Sequence, residues 1–149
     1  MALHRFFLED QVIADEGRAA FPLRLTADDA RHARALRLEA GEHIAVVDGA
    51  QDYFECEVVS AEGGDVVVRI CGHGEAPELP SVVLAQGLAK GDKMDAVIRG
   101  ATELGVGAFM PLACERSVVR LDGPRVAKRA QRWAAVAKSA AMQSGQPRI

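Results

Sequence analysis

The 149-residue chain has only three cysteines, Cys56, Cys71 and Cys114, odd in number and far apart. Such spacing supports neither a disulfide framework nor a zinc knuckle, and mostly strand-like apolar surroundings predict buried thiols. No apolar run approaches the roughly 18 residues a membrane-spanning helix needs, and Met1-Ala2-Leu3-His4-Arg5 lacks the long apolar stretch of a signal peptide. No membrane partner and no metal are expected, and a cytoplasmic location is. Internal repeats, heptads and low-complexity tracts are absent as well.

What the chain has is an apolar fraction of 49%, ample for a packed core in one domain or two small ones. Its charge is unevenly spread. Residues 1–75 hold 7 Lys/Arg against 15 Asp/Glu, a net of −8, while residues 76–149 hold 11 against 6, a net of +5. The split suggests two units with different partners, and the basic half is the better match for phosphate.

The first half has the rhythm of a small β domain. Strand-like runs occur at Arg5 to Leu8, Ile44 to Val47, Tyr53 to Val59 and Val66 to Ile70, with turns at Asp48-Gly49 and Gly63-Gly64-Asp65. Thr26, with Asp29 three residues later, fits the N-cap of a short helix through about Leu36. The economical reading is a barrel-like module over residues 1–72. Gly72-His73-Gly74-Glu75-Ala76-Pro77-Glu78-Leu79-Pro80 breaks every periodicity, which places a linker at 73–80.

Residues 81–149 read as βαβα. Ser81 to Leu84 is a strand suited to a covered parallel sheet, and Asp92 can cap a helix carrying Met94, Val97, Ile98 and Ala101 on one face, ended by Gly105. A second strand is expected at about Val106 to Leu112 and a second helix from about Pro124, a residue tolerated in a first turn. In that helix Val126, Ala130, Trp133, Ala137 and Ala141 share one face, and Arg125, Lys128, Arg129 and Arg132 share another. The charged face reads as solvated or as a binding surface.

Two charged loops follow the strands, where open parallel sheets place their ligand sites. Lys90 and Lys93 flank Gly91-Asp92 at a helix N-terminus, where ammonium groups, backbone N–H groups and the helix dipole together attract phosphate. The Gly-Lys-Ser/Thr ending of a Walker motif is missing. Glu115 and Arg116 form either a structural ion-pair network or part of a catalytic rim. Glu103, in a last helical turn that disfavours anions, calls for a cationic partner. Arg31, Arg34 and Arg37 form either a phosphate clamp or a set of solvated cations balancing Asp28, Asp29 and Glu39. Phe6 and Phe7 alternate across a strand, so at least one belongs to the core. As a histidine His32 invites a general-base role, but alone on a helix it is more simply a structural or surface residue.

In this order, Arg5-Phe6-Phe7, His32 with Leu36-Arg37-Leu38, Gly41 to Gly49, Leu84 to Met94, Thr102-Glu103-Leu104-Gly105, Glu115 to Arg120, and Arg132-Trp133 leading to Gln143-Ser144-Gly145 carry a resemblance over nearly the whole chain. It resembles the RsmE family, the SPOUT-class methyltransferases that act on uridine N3 of small-subunit 16S ribosomal RNA. The resemblance implies an α/β protein: a PUA-like β-barrel that binds RNA, followed by the N-terminal part of a SPOUT-type parallel α/β domain that uses S-adenosylmethionine and forms a homodimer when complete. It adds Arg5 to Arg31, Arg34, Arg37, Lys90 and Lys93 as RNA-binding residues. It also makes Glu115, Arg116 and Gln143 the catalytic candidates.

Methylating N3 requires loss of its proton, a cation such as Arg116 or Lys93 near the developing charge, and an unstacked base. By the same resemblance, the loops that hold the cofactor are expected beyond Ile149, so this chain alone is expected to be inactive. The alternatives are a non-catalytic RNA-binding module, a truncated fragment unable to bind the cofactor, or a fragment that only mediates association.

Overall fold

In a computed structural model, residues 3–74 and 81–147 are described. The chain divides into two compact units, Met1–Pro77 and Glu78–Ile149. The first unit holds β1 (His4–Phe7), β2 (Phe21–Pro22), α1 (Ala27–Leu36), β3 (His43–Val47), β4 (Tyr53–Glu62) and β5 (Asp65–Gly74), with a 3-10 turn at Ala14–Glu16. Its five strands are ordered β1-β3-β4-β5-β2. The β1–β3 pair is parallel and the others are antiparallel.

Alternation dictates this sheet. Phe54, Cys56 and Val58 of β4 and Val66 and Val68 of β5 are buried, while Asp65 and Arg69 point to water. Ile44 to Val47 are all buried, so β3 is covered on both faces. The same cover extends to β1, whose Phe6 and Phe7 pair with Val46 and Val47. Both rings are therefore core, where alternation predicted that one of them could face outward. Thr26 caps α1 as expected: its hydroxyl accepts from the Asp29 N–H at 3.2 Å and donates to the Asp29 carboxylate at 2.7 Å.

Two expectations change, and one strand is new. β5 continues through Gly74, past the point where the sequence suggests a linker; residues 75–80 lie outside the described ones. The cysteines are not all buried: Cys56 is, whereas Cys71 and Cys114 are exposed. Cys71 falls on an outward position near the end of β5, and Cys114 follows the last strand of the second unit. Finally, β2 is only two residues long, too short to leave a periodic signal.

The second unit holds β6 (Val83–Gly87), α2 (Lys93–Glu103), β7 (Ala108–Leu112) and α3 (Pro124–Ser144). β6 and β7 are parallel, Val83 opposite Ala108 and Gly87 opposite Leu112, joined through α2. This is the expected βαβα order, with β6 running to Gly87 rather than ending at Leu84. α2 ends as its sequence predicts. Gly105 adopts φ +87°, its N–H meets the Thr102 carbonyl at 2.9 Å, and the Val106 N–H meets Ala101 at 3.0 Å, a Schellman closure.

Met94, Ile98 and Ala137 form the core of this unit, with Ala89, Phe109, Trp133 and Val136 packed against it. The expected apolar face of α3 is buried only in its second half, at Ala137, Ala140 and Ala141, while Val126 is 48% exposed. Helix length explains this. α3 has 21 residues against 11 in α2, about 31 Å against about 16 Å, so its first turns overrun their partner.

Candidate nucleic-acid interface

The loops after β6 and β7 emerge side by side. The Leu88 N–H donates to the Leu112 carbonyl at 2.9 Å, and a Cβ at Gly87 would lie 3.6 Å from the Cys114 sulfur. This carboxyl edge brings together Lys90, Lys93, Glu115 and Arg116, all exposed. Glu115 and Arg116 sit in a turn closed by the Ser117 N–H on the Cys114 carbonyl at 2.9 Å and the Cys114 N–H on the Ser117 hydroxyl at 3.2 Å. None of these four side chains has an ion-pair partner among the described residues, so the alternative of a Glu115–Arg116 structural pair is not what forms.

Asp92 occupies the N-cap position of α2 without a capping hydrogen bond and lies 3.5 Å from Arg132 instead. Arg132 donates through Nε and Nη2 to one oxygen of Asp95, which is 8% exposed. The hydrogen bond that Arg132 donates to Asp95, then the Asp95 charge, hold the Arg132 pKa above its ordinary value. Arg132 is therefore the clasp between α3 and the start of α2 rather than a member of a free cationic face.

The other end of α3 belongs elsewhere. Gln146 Nε2 donates to the carbonyl of Glu103 at 2.7 Å, at the far end of α2. Gln143, exposed, stands near that end, eleven residues and about 16 Å along the helix from Arg132. The unit thus gathers Glu115 and Arg116 with the two lysines and leaves Gln143 away from them. The cationic partner expected for Glu103 is missing among the described residues.

In the first unit the candidate arginines are mostly engaged. The Arg5 guanidinium lies 5.1 Å from the Tyr53 ring centroid. Arg31 pairs with Asp28 at 3.0 Å, both largely exposed. Arg34 donates to the Gly63 carbonyl at 3.0 Å, joining α1 to the β4–β5 turn. Arg37 takes the left-handed C-cap, φ 54°, with its guanidinium in solvent. His32 is exposed, its ring tilted at 57° to that of Phe6 with the centroids 6.0 Å apart.

Sequence reasoning missed Asp48 and Gln11. Asp48, fully buried, accepts from the N–H groups of Ile13 at 3.0 Å, Ala50 at 2.9 Å and Asp52 at 3.1 Å. Gln11 donates to the Pro22 carbonyl at 3.0 Å and accepts from the Arg24 N–H at 2.7 Å. Among the described residues no helix is long and apolar enough to cross a membrane, and no group of three or more His, Cys, Asp or Glu is placed to hold a metal.

The chain thus has a β-rich unit followed by a parallel βαβα unit with exposed cations at its carboxyl edge. Two family models agree: an RNA methyltransferase PUA domain matches residues 25–71 and an RNA methyltransferase domain matches residues 77–149. Ribosomal RNA small subunit methyltransferase E of Bacillus subtilis is 35% identical over 147 residues, 95% of this chain and 56% of the relative. The Mycobacterium tuberculosis protein of that name is 36% identical over 124 residues, 82% of this chain and 47% of the relative.

The crystal structure of the Neisseria gonorrhoeae methyltransferase E bound to S-adenosyl methionine superposes with a TM-score of 0.80 at 31% identity, covering 99% of this chain and 60% of that one. The chain belongs to the RsmE family of ribosomal RNA small subunit methyltransferases. Its fold is the family's PUA-like β-rich part followed by a parallel methyltransferase part. It spans about half the length of the curated relatives it matches.

Proposed function

We propose that this chain is the RNA-holding portion of an S-adenosylmethionine-dependent enzyme that methylates N3 of a uridine in 16S ribosomal RNA. The observation that carries the reading is the cluster of unpaired cations Lys90, Lys93 and Arg116 at the carboxyl edge of a parallel sheet. Bringing an RNA phosphate there displaces no internal ion pair, and each lysine neutralising a phosphate releases a counterion. Arg116 lies beside them to offset the negative charge that develops on a uracil ring losing its N3 proton, and Glu115 completes that rim. Arg31, Arg34 and Arg37 on α1, with Arg5, form the second RNA contact. A cytoplasmic location and a homodimer of the complete enzyme belong to the same reading.

The apolar cavity of the second unit does not fit the cofactor. The cavity in the second unit, about 320 Å³, is walled by apolar side chains such as Ile98, Phe109 and Ala137 and offers no charged group to a sulfonium or an amino-acid carboxylate.

A fluorescein-labelled small-subunit RNA fragment with an unpaired uridine tests this by anisotropy across a salt series. Saturable binding is expected, and Lys90→Ala with Lys93→Ala lowers the slope of log K against log salt by about 1.4, or roughly 0.7 per single-strand phosphate contact. An unchanged slope sinks the assignment of the edge. Calorimetric titration with S-adenosylmethionine is expected to be silent, and saturable heat would overturn the argument from cavity chemistry.

A further inference from the structure

We infer that the first half of α3, residues 124–131, is a second surface for the RNA backbone, which continues the cationic edge through Lys128 and Arg129; the inference rests on the reading of Lys90, Lys93 and Arg116 as an RNA site. α3 runs antiparallel to α2, since Arg132 lies 3.5 Å from Asp92 at the start of α2 and Gln146 reaches Glu103 at its end. The turns before Arg132 therefore project past the start of α2, at the same end as Lys90 and Lys93, and Arg125 stands about 10 Å along the helix from Arg132. Every residue from 122 to 132 is exposed.

Nothing within the helix accounts for its charges. Arg125, Lys128, Arg129 and Arg132 follow one another at helical spacings of three and four, so they share a face and repel. The 21 residues of α3 include no Asp or Glu to alternate with them, whereas a face that is merely solvated mixes the two signs. A cation in the first turn, as Arg125 is, also opposes the helix dipole. Asp122 offsets Arg125 at 3.4 Å and Asp95 takes Arg132, which leaves Lys128 and Arg129 without an ion-pair partner among the described residues.

This chemistry selects a polyanion as the occupant. A strand of phosphates bound at Lys90 and Lys93 can run on along the cations of the adjoining turns, relieving their repulsion and releasing further counterions. A membrane surface would need large apolar side chains on the opposite side of the helix. Beside Pro124, the overhang has only Val126, Ala127 and Ala130 to offer there. It therefore holds nucleotides that flank the target uridine, whatever their bases, since phosphate contacts position a strand without reading its sequence.

Anisotropy with the same labelled RNA fragment and the whole chain, across a salt series, tests the inference on variants whose Tm matches the parent's. Lys128→Gln with Arg129→Gln is expected to lower the slope of log K against log salt by about 1.4, or roughly 0.7 per single-strand phosphate contact. Added to Lys90→Ala and Lys93→Ala, the pair should bring the total fall to about 2.8. Each single substitution, expected at about 0.7, repeats the test should the pair fail to fold. A slope that the α3 pair leaves unchanged while the edge pair lowers it overturns the inference, leaves the edge standing and hands the helix face to an acidic protein. Lowering by the α3 pair alone, with the edge pair inert, refutes the edge as an RNA site and with it the continuity inferred here.

Discussion

In the first unit the buried carboxylate of Asp48 meets three backbone donors, whereas in the second the carboxylate of Asp95 keeps one oxygen on Arg132 and leaves the other buried without a partner. The orphaned Thr102 hydroxyl and Trp133 indole also belong to the second unit. So do Val82, Val83, Leu104, Met110, Val118 and Val126, all large and exposed, against Val12 alone among the described residues of the first. Charge follows the same division. Arg5, Arg31 and Arg34 already have partners in the acidic first unit, while Lys90, Lys93 and Arg116 have none among the described residues of the basic second. An anion can reach the second set without breaking an existing contact. The strength of a binding surface therefore depends less on how many cations a helix carries than on how many the fold has left unused.

The largest effect should come from Asp48. Replacing it by Ala strands the buried N–H of Ile13 and unpairs the part-buried N–H groups of Ala50 and Asp52, at a cost of about 3 kcal/mol. Hydrogen exchange read by mass spectrometry should then show protection in β3, β4 and β5 falling about a hundredfold while α2 and α3 keep theirs. Equal loss in the two helices would mean that the units share one stability and the contrast between them is wrong.

The reason Asp48 escaped notice bears on how much a sequence discloses. Asp-Gly reads as a turn, and a turn it is, but two of the donors that fix its carboxylate are local and the third comes from Ile13, 35 residues away. Local signals were legible: the Thr26 cap, the Gly105 helix stop, the alternation of β4 and the glycine turn after it. Arg132 shows the opposite case. Helical periodicity puts it on a charged face with Arg125, Lys128 and Arg129, and nothing within α3 reveals that Asp95, 37 residues earlier, claims it. Within the candidate site, Lys90, Lys93, Glu115 and Arg116 could be grouped from their positions after strands. Gln143 could not be placed, because its distance from them depends on how α3 lies along α2, which Gln146 and Glu103 settle.

That clasp supplies the next test. Arg132→Ala leaves Asp95 buried and unpaired, but the arginine side chain is 53% exposed and water screens the pair, so the expected loss of stability is smaller than that of a fully buried bridge. Urea unfolding followed by the fluorescence of Trp133, the next residue, reads it directly. Adding Asp95→Leu to Arg132→Met should recover most of the loss, since a packed apolar pair carries no stranded charge. Failure of the double variant to recover would show that the second unit depends on this polar contact as closely as the first depends on Asp48.

The smallest effect sets the one buried thiol against the two exposed ones. Burial first, then the neighbouring Cys71 and Glu55, push the Cys56 thiol up from 9.0 to about 12. The thiolate attacks iodoacetamide and displaces iodide, so the native protein at pH 8 should take two adducts, on Cys71 and Cys114, and a third only after unfolding. The linkage has a definite sign. Between pH 9 and about 12 the folded chain retains a proton that the unfolded chain releases, so stability is flat below that window and falls as pH rises through it. The fall in Tm from pH 9 to 10.5 should be smaller in Cys56→Ala than in the parent, because the substituted chain has no thiol there to ionise on unfolding. Prompt alkylation of Cys56 in the native state would mean that the first unit opens readily, and its buried sheet would lose its distinction from the more exposed second unit.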